Sequence, residues 1–118
     1  ARICTVASVA GLRGGGLAGT AAYASSKGAI LALTKNAARV LGPKGIAVNT
    51  IAPGMIDTPF AAGPLSDPAI RQRIEGMTSF NRLGTPEEIA EAIVWLLSPE
   101  ASYVHGATLV ADGGMVMY

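Results

Sequence analysis

Three short segments of this 118-residue chain, RICTVAS (2–8), IAVNTIAPG (46–54) and ATLVADGG (107–114), are rich in β-forming residues and apolar along their length instead of alternating. A strand that is apolar on both faces has to be covered on both faces. Between the first two lies a stretch dominated by Ala, Leu, Ile and Lys, from about Ala21 to Leu41. GPKG at Gly42 to Gly45 stops it, as glycine and proline stop helices. Between the last two, TPEEIAEAIVWLLS opens with Thr85 as N-cap, Pro86 at the first helical position and two acids in the first turn. The order is β-α-β-α-β, which with two-sided strands specifies an α/β parallel sheet with helices on both faces. The long Pro-containing stretch from Met55 to Gly84 interrupts it, with a short helix expected near Pro68 to Met77.

Three strands and two long helices leave the edges of a parallel sheet unmanaged. Residues 1–118 are therefore expected to be the C-terminal part of a single doubly wound domain. Ala1, which opens directly into a strand, fits a start in mid-domain. Half of the residues are hydrophobic and 14% are charged, which excludes a disordered chain and implies faces covered by other chains or by a further part of the same protein. A net charge of +1 with scattered Lys and Arg gives no electrostatic case for nucleic acid. No apolar run has the length to span a membrane. The single cysteine, Cys4, excludes an internal disulfide and a cysteine-rich metal site. It reads as a small strand residue in a reducing, cytoplasmic compartment, and no metal is expected.

The segment YASSK places Tyr23 and Lys27 four residues apart, on one face of the expected helix. A phenol ionises at about pH 10, so general base work at neutral pH requires about 4 kcal/mol of preferential stabilisation of the phenolate. An ammonium about 5 Å away supplies roughly 3 kcal/mol at an effective dielectric of about 20. Ser8 ends its strand at the carboxyl edge of the sheet, where α/β folds bind ligands, and can hold an oxyanion beside Tyr23. Pro53-Gly54 ends the next strand at the same edge. GGGLAG, Gly14 to Gly19, has the glycine spacing of a dinucleotide fingerprint. It lies six residues past Ser8, and Arg39 stands where the acid would be, so it reads instead as part of a flexible active-site loop between Ser8 and Tyr23.

Taken together, Ser8, Tyr23-x-x-x-Lys27 and NTIAPGMIDTP resemble the C-terminal half of the short-chain dehydrogenases/reductases. NRLGTPEEIAEAIVWLLSPEASYVHGATLVADGG resembles that family's last helix and strand, so the likeness covers essentially the whole chain. The ending DGGMVMY resembles the branch around the 3-oxoacyl-acyl-carrier-protein reductases. The resemblance implies a Rossmann-type sheet and an NAD- or NADP-dependent oxidoreductase that interconverts a secondary alcohol and a ketone. It implies Tyr23 as acid/base, Lys27 as the charge beside it that also holds the ribose, and Ser8 as the group that orients substrate. Tyr23, Lys27, Pro53, Gly54, Ile56 and Thr58 would border the cofactor, and about Pro59 to Phe80 would form a lid. The family is commonly tetrameric, so a homotetramer or homodimer is expected, through the Tyr23–Leu41 helix (Ile30, Leu31, Leu33, Ala37, Val40) and the last helix and strand. A non-catalytic assembly module with the same fold is the alternative.

Two features depart from the family. The spacing from Ser8 to Tyr23 is two residues longer than usual, and no Asn stands near Thr5. Phe60, Leu65, Met77 and Phe80 suggest an apolar substrate pocket. His105 reads as a loop residue, Asp112 as a turn-former and Trp95 as core or subunit contact.

Overall fold

A computed structural model of the chain describes residues 1–15 and 20–118, and the backbone alone at Phe60. Strands β1 (Arg2–Val6), β2 (Ala47–Pro53) and β3 (Thr108–Ala111) form one sheet in the order β1-β2-β3, with both pairings parallel. Arg2 lies opposite Ala47 and Val6 opposite Ile51, while Thr50 lies opposite Thr108 and Pro53 opposite Ala111. All three carboxyl ends consequently reach one edge of the sheet.

The helix expected from Ala21 to Leu41 forms over those residues as α2. Thr20 caps it, its hydroxyl accepting from the Tyr23 N–H. The Thr5 hydroxyl lies 2.7 Å from that of Thr34 on α2. Arg2, of opposite parity on β1, reaches the Ala101 carbonyl just after α5 (Pro86–Leu96). Since successive strand residues point to opposite faces, α2 and α5 cover opposite sides of the sheet.

The structure corrects the sequence reading at the end of β1 and in the central strand, and adds to it in the packing of α2. First, β1 ends at Val6, not Ser8, because Ser8 is the N-cap of an unexpected helix, α1 (Val9–Arg13). Secondly, the residues of α2 that are fully buried are Ala24, Thr34 and Ala38, while Leu33 and Val40 stay exposed. Small residues at the contact let the helix lie close to the sheet. Thirdly, the central strand is not wholly apolar, since Asn49 and Thr50 are among its most buried side chains.

These polar groups survive burial because each is partnered, as the cost of an orphan would be one to several kcal/mol. Thr34 donates to the Ile30 carbonyl, which leaves its oxygen to accept from Thr5, and Thr50 donates to the Thr5 carbonyl. Asn49 donates to the Val104 carbonyl and accepts from the Ala107 N–H. His105, expected as a plain loop residue, ties β2 to α2. Its Nδ1 accepts from the Val48 N–H at 3.2 Å, so its Nε2 carries the proton and donates to the Ala38 carbonyl at 2.8 Å.

Residues 55–84 form a cap over the sheet edge, built on α3 (Ala62–Leu65) and α4 (Pro68–Glu75), the latter matching the expected short helix. The cap has its own small core of Ala61, Leu65, Ile74 and Leu83, with Met55 and Ile70 packed against it. Thr85 and Glu88 close a capping box at the start of α5, and Arg82 grips Glu88 with two 2.7 Å bonds. Among the described residues no helix is long and apolar enough to cross a membrane.

Two outcomes are expected. Replacing His105 with Leu leaves the buried Val48 N–H unpaired and should lower unfolding stability by about 1–3 kcal/mol in denaturant titrations. The Arg82 guanidinium, and after it the Thr85 N–H, hold the Glu88 carboxyl at about 2, below its ordinary 4.5. The stability from this contact is therefore complete above the ordinary value and is lost as pH falls toward 2. Glu88→Gln should flatten the acid limb of a melting-temperature profile through that window and leave the neutral limb parallel to wild type.

Candidate active site

The carboxyl ends of β1 and β2 open into a cavity of about 420 Å³. Ser8, Tyr23, Lys27, Pro53, Gly54, Ile56 and Thr58 all border it, so the residues singled out from the sequence share one site. The two additional residues between Ser8 and Tyr23 do not separate them.

Ser8 is placed by α1. Its backbone is extended, its Oγ accepts from the Ala10 N–H at 3.1 Å, and its hydroxyl proton is left to donate elsewhere. Helix α1 in turn lies directly on α2. A Cβ on Gly11 would stand 2.7 Å from the Gly28 nitrogen and 2.8 Å from the Lys27 carbonyl carbon. The bare glycine is thus what brings Ser8 against the turn that carries Tyr23 and Lys27. Tyr23 and Lys27 occupy successive turns of α2, with the Lys27 Nζ 5.8 Å from the centroid of the Tyr23 ring. That ammonium also donates to the Val6 carbonyl at 3.2 Å, which anchors it at the end of β1 and leaves two of its three protons available.

The opposite wall begins where β2 ends. Gly54 donates to the Ala111 carbonyl, and a Cβ there would meet that of Asp112 at 2.6 Å. The Asp112 carboxylate accepts from the Gly114 and Val116 N–H groups, the turn-forming role its sequence context indicates. This turn brings Met115 to the cavity. Ile56 forms a parallel bridge to Gly84 whose two bonds come from the Met55 carbonyl and the Asp57 N–H. In such a bridge the central residue's own N–H and C=O face away from the partner strand. Thr58 precedes a 3₁₀ turn, and its hydroxyl makes no capping bond there.

The apolar walls differ from expectation. Leu65 is in the core of the cap, and Met77 and Phe80 are exposed, Phe80 against the Arg82 guanidinium. The Phe60 side chain lies outside the described residues. The cavity's apolar surface comes instead from residues such as Val9, Met55, Ala61, Ile74 and Met115. Of the glycine fingerprint, Gly14 has a φ of 82° and caps α1 through its N–H to Ala10, and Gly16 to Gly19 lie outside the described residues. Five of the residues read as a flexible loop are helical. Arg13, in the last turn of α1, borders the cavity and had not been singled out from the sequence.

A profile of the family described as enoyl-(acyl-carrier-protein) reductase matches residues 1–116. The chain is 43% identical over 116 residues to a 3-oxoacyl-(acyl-carrier-protein) reductase of Vibrio cholerae, covering 98% of this chain and 46% of that protein. A short-chain dehydrogenase/reductase of Brucella melitensis, described as glucose/ribitol dehydrogenase, superposes with a TM-score of 0.92 at 38% identity, covering 100% of this chain and 46% of the other. A 4-hydroxyisoleucine dehydrogenase complexed with NADH gives 0.92 at 35% identity, covering 99% and 47%. The chain thus spans a little under half the length of each.

The α1–α2 contact gives an ordered expectation. Gly11→Ala should destabilise by about 1–3 kcal/mol, because only backbone faces the new methyl. Gly28→Ala adds a Cβ that meets only the Gly11 carbonyl, at 3.6 Å, and should be neutral or stabilising through helix propensity. Denaturant titration of both variants checks the order.

Proposed function

The chain belongs to the short-chain dehydrogenase/reductase family, and we propose that it forms the catalytic half of an oxidoreductase that interconverts a secondary alcohol and a ketone with NAD or NADP. The observation that carries this reading is the convergence of Ser8, Tyr23 and Lys27 with the Ile56 backbone on one cavity at the carboxyl edge of the sheet. The pyrophosphate of the dinucleotide falls to a preceding half of the same domain, outside residues 1–118.

The residues present fit the nicotinamide end. The Ile56 N–H and C=O match the acceptor and donor of a carboxamide, and the Thr58 hydroxyl adds a further polar group beside them. Gly54, without a side chain, lets the Pro53-Gly54 turn form the floor. Lys27 has protons to spare for ribose hydroxyls, and Tyr23 borders the same space. When bound, the nicotinamide supplies or takes up the hydride.

Ser8 donates its hydroxyl proton to the substrate oxygen and so fixes that oxygen beside Tyr23. In the reducing direction Tyr23 gives its phenol proton to the carbonyl oxygen as the carbon is reduced; in the oxidising direction its phenolate takes the alcohol proton. Lys27, held by the Val6 carbonyl, keeps a positive charge next to the ring. The exposed Leu33 and Val40 on α2 and Val94 and Trp95 on α5 support assembly into a homodimer or homotetramer. Assembly accompanies catalysis in this reading, because a mere assembly module gives no reason for three reactive side chains around one cavity.

In the full-length protein, Tyr23→Phe should bind cofactor as wild type does and turn over at least roughly a hundredfold more slowly. Cofactor titration and steady-state rates measure the two separately. Near-normal turnover of Tyr23→Phe sinks the proposal.

A further inference from the structure

We infer that Arg13 selects a substrate that carries an anionic group, a carboxylate or a phosphate, at the end remote from its reacting carbon; the inference rests on the oxidoreductase reading. Arg13 borders the same cavity as Ser8, Tyr23 and Lys27 and sits in the last turn of the helix that Ser8 caps. Arg13 stands five residues beyond Ser8, a rise of about 7.5 Å along the axis. Ser8 and the solvent-exposed Arg13 thus border one space whose other walls are largely apolar.

Nothing in the described protein neutralises that charge. Arg71 is paired with Asp57 and Glu75, and Arg82 with Glu88, whereas Arg13 has no ion pair or hydrogen bond among the described residues. No Asp or Glu borders the cavity. The chain holds no acid before Asp57, so residues 16–19 contribute none. The other cation in the cavity, Lys27, is held by the Val6 carbonyl beside the Tyr23 ring. A guanidinium forks onto carboxylate or phosphate oxygens with two parallel bonds, which gives orientation as well as attraction. A substrate matched to this cavity is amphipathic, with its carbonyl at Ser8 and Tyr23, an apolar body along Val9, Ile74 and Met115, and its anion at Arg13.

A phosphate of the cofactor is the other source of such an anion, and the experiment separates the two. The full-length enzyme is assayed at saturating cofactor with 4-oxopentanoate, 5-oxohexanoate and 6-oxoheptanoate, each against its uncharged amide. The wild type should prefer at least one acid over its amide by tenfold or more in kcat/KM. Arg13→Gln should abolish that preference, mainly through a raised KM for the acid, with the amide rate and the cofactor KM within threefold of wild type. Arg13→Lys should restore part of the preference, and an unchanged melting temperature excludes a merely structural loss. A wild type that treats acids and amides alike, an equal loss on both, or a change confined to the cofactor KM overturns the inference and leaves the oxidoreductase reading standing. Failure to reduce any of the ketones, charged or not, and to oxidise the matching alcohols overturns both.

Discussion

The parallel pairing of β1 with β2, in a register that sets Val6 opposite Ile51, is the constraint on which the site depends. It brings two strand ends to one edge, and each side of the cavity hangs from one of them. From β1 the chain turns into α1 and then α2, which together supply Ser8, Arg13, Tyr23 and Lys27. From β2 it turns through Pro53-Gly54 into the cap, which supplies Ile56 and Thr58. A slip of one residue between the strands would turn side chains to the wrong face and also part these two groups. The Lys27 ammonium reinforces the arrangement by bonding the last carbonyl of β1.

What resists such a slip is largely neutral and polar. Apolar packing of Val48, Ile51 and Ala52 rewards burial with little regard for register, whereas hydrogen bonds reward one register only. Thr5, Thr34 and Thr50 link β1, α2 and β2, Asn49 holds the chain entering β3, and His105 joins β2 to α2. With 14% of its residues charged, the chain places its ion pairs on the cap and at the start of α5, and the sheet itself carries none of them. Gly42 belongs to the same device, because a Cβ there would stand 2.7 Å from the His105 Nε2.

Much of this was legible in the sequence. Helix α2, the Thr85 and Pro86 start of α5, the sequence of elements and the common edge follow from patterns that span many residues or use strong caps. The meeting of Ser8, Tyr23 and Lys27 at one cavity followed from their order along the chain. Helix α1 escaped because five residues carry little periodicity and Gly11 lowers the local helix propensity. Its signal was nevertheless present in Ser8 as N-cap and Gly14 as the left-handed stop, six residues apart. Asn49 and Thr50 were passed over because a scan for apolar runs does not ask where buried polar groups find partners. The cavity walls were misassigned for a different reason. Large apolar residues of the cap were taken to face substrate, but Leu65 is needed for the cap's own core, and the walls are set by tertiary packing.

The two close backbone approaches beside the cavity have unlike consequences. At Gly11 the missing side chain lets one helix sit on the other, and this sets how near the Ser8 hydroxyl comes to the turn with Tyr23 and Lys27. At Gly54 it lets the end of β2 meet Asp112, and this sets how far the cap leans over the sheet edge. The first contact bears on how Ser8, Tyr23 and Lys27 are spaced, and the second on the turn that forms the opposite wall. Electrostatics divides along the same line, with both cations of the cavity on the α1–α2 side and apolar groups predominating on the cap side. A molecule entering this space is therefore oriented by charge along one wall and by shape along the other. Ser8, Tyr23 and Ile56 all border the space between those walls.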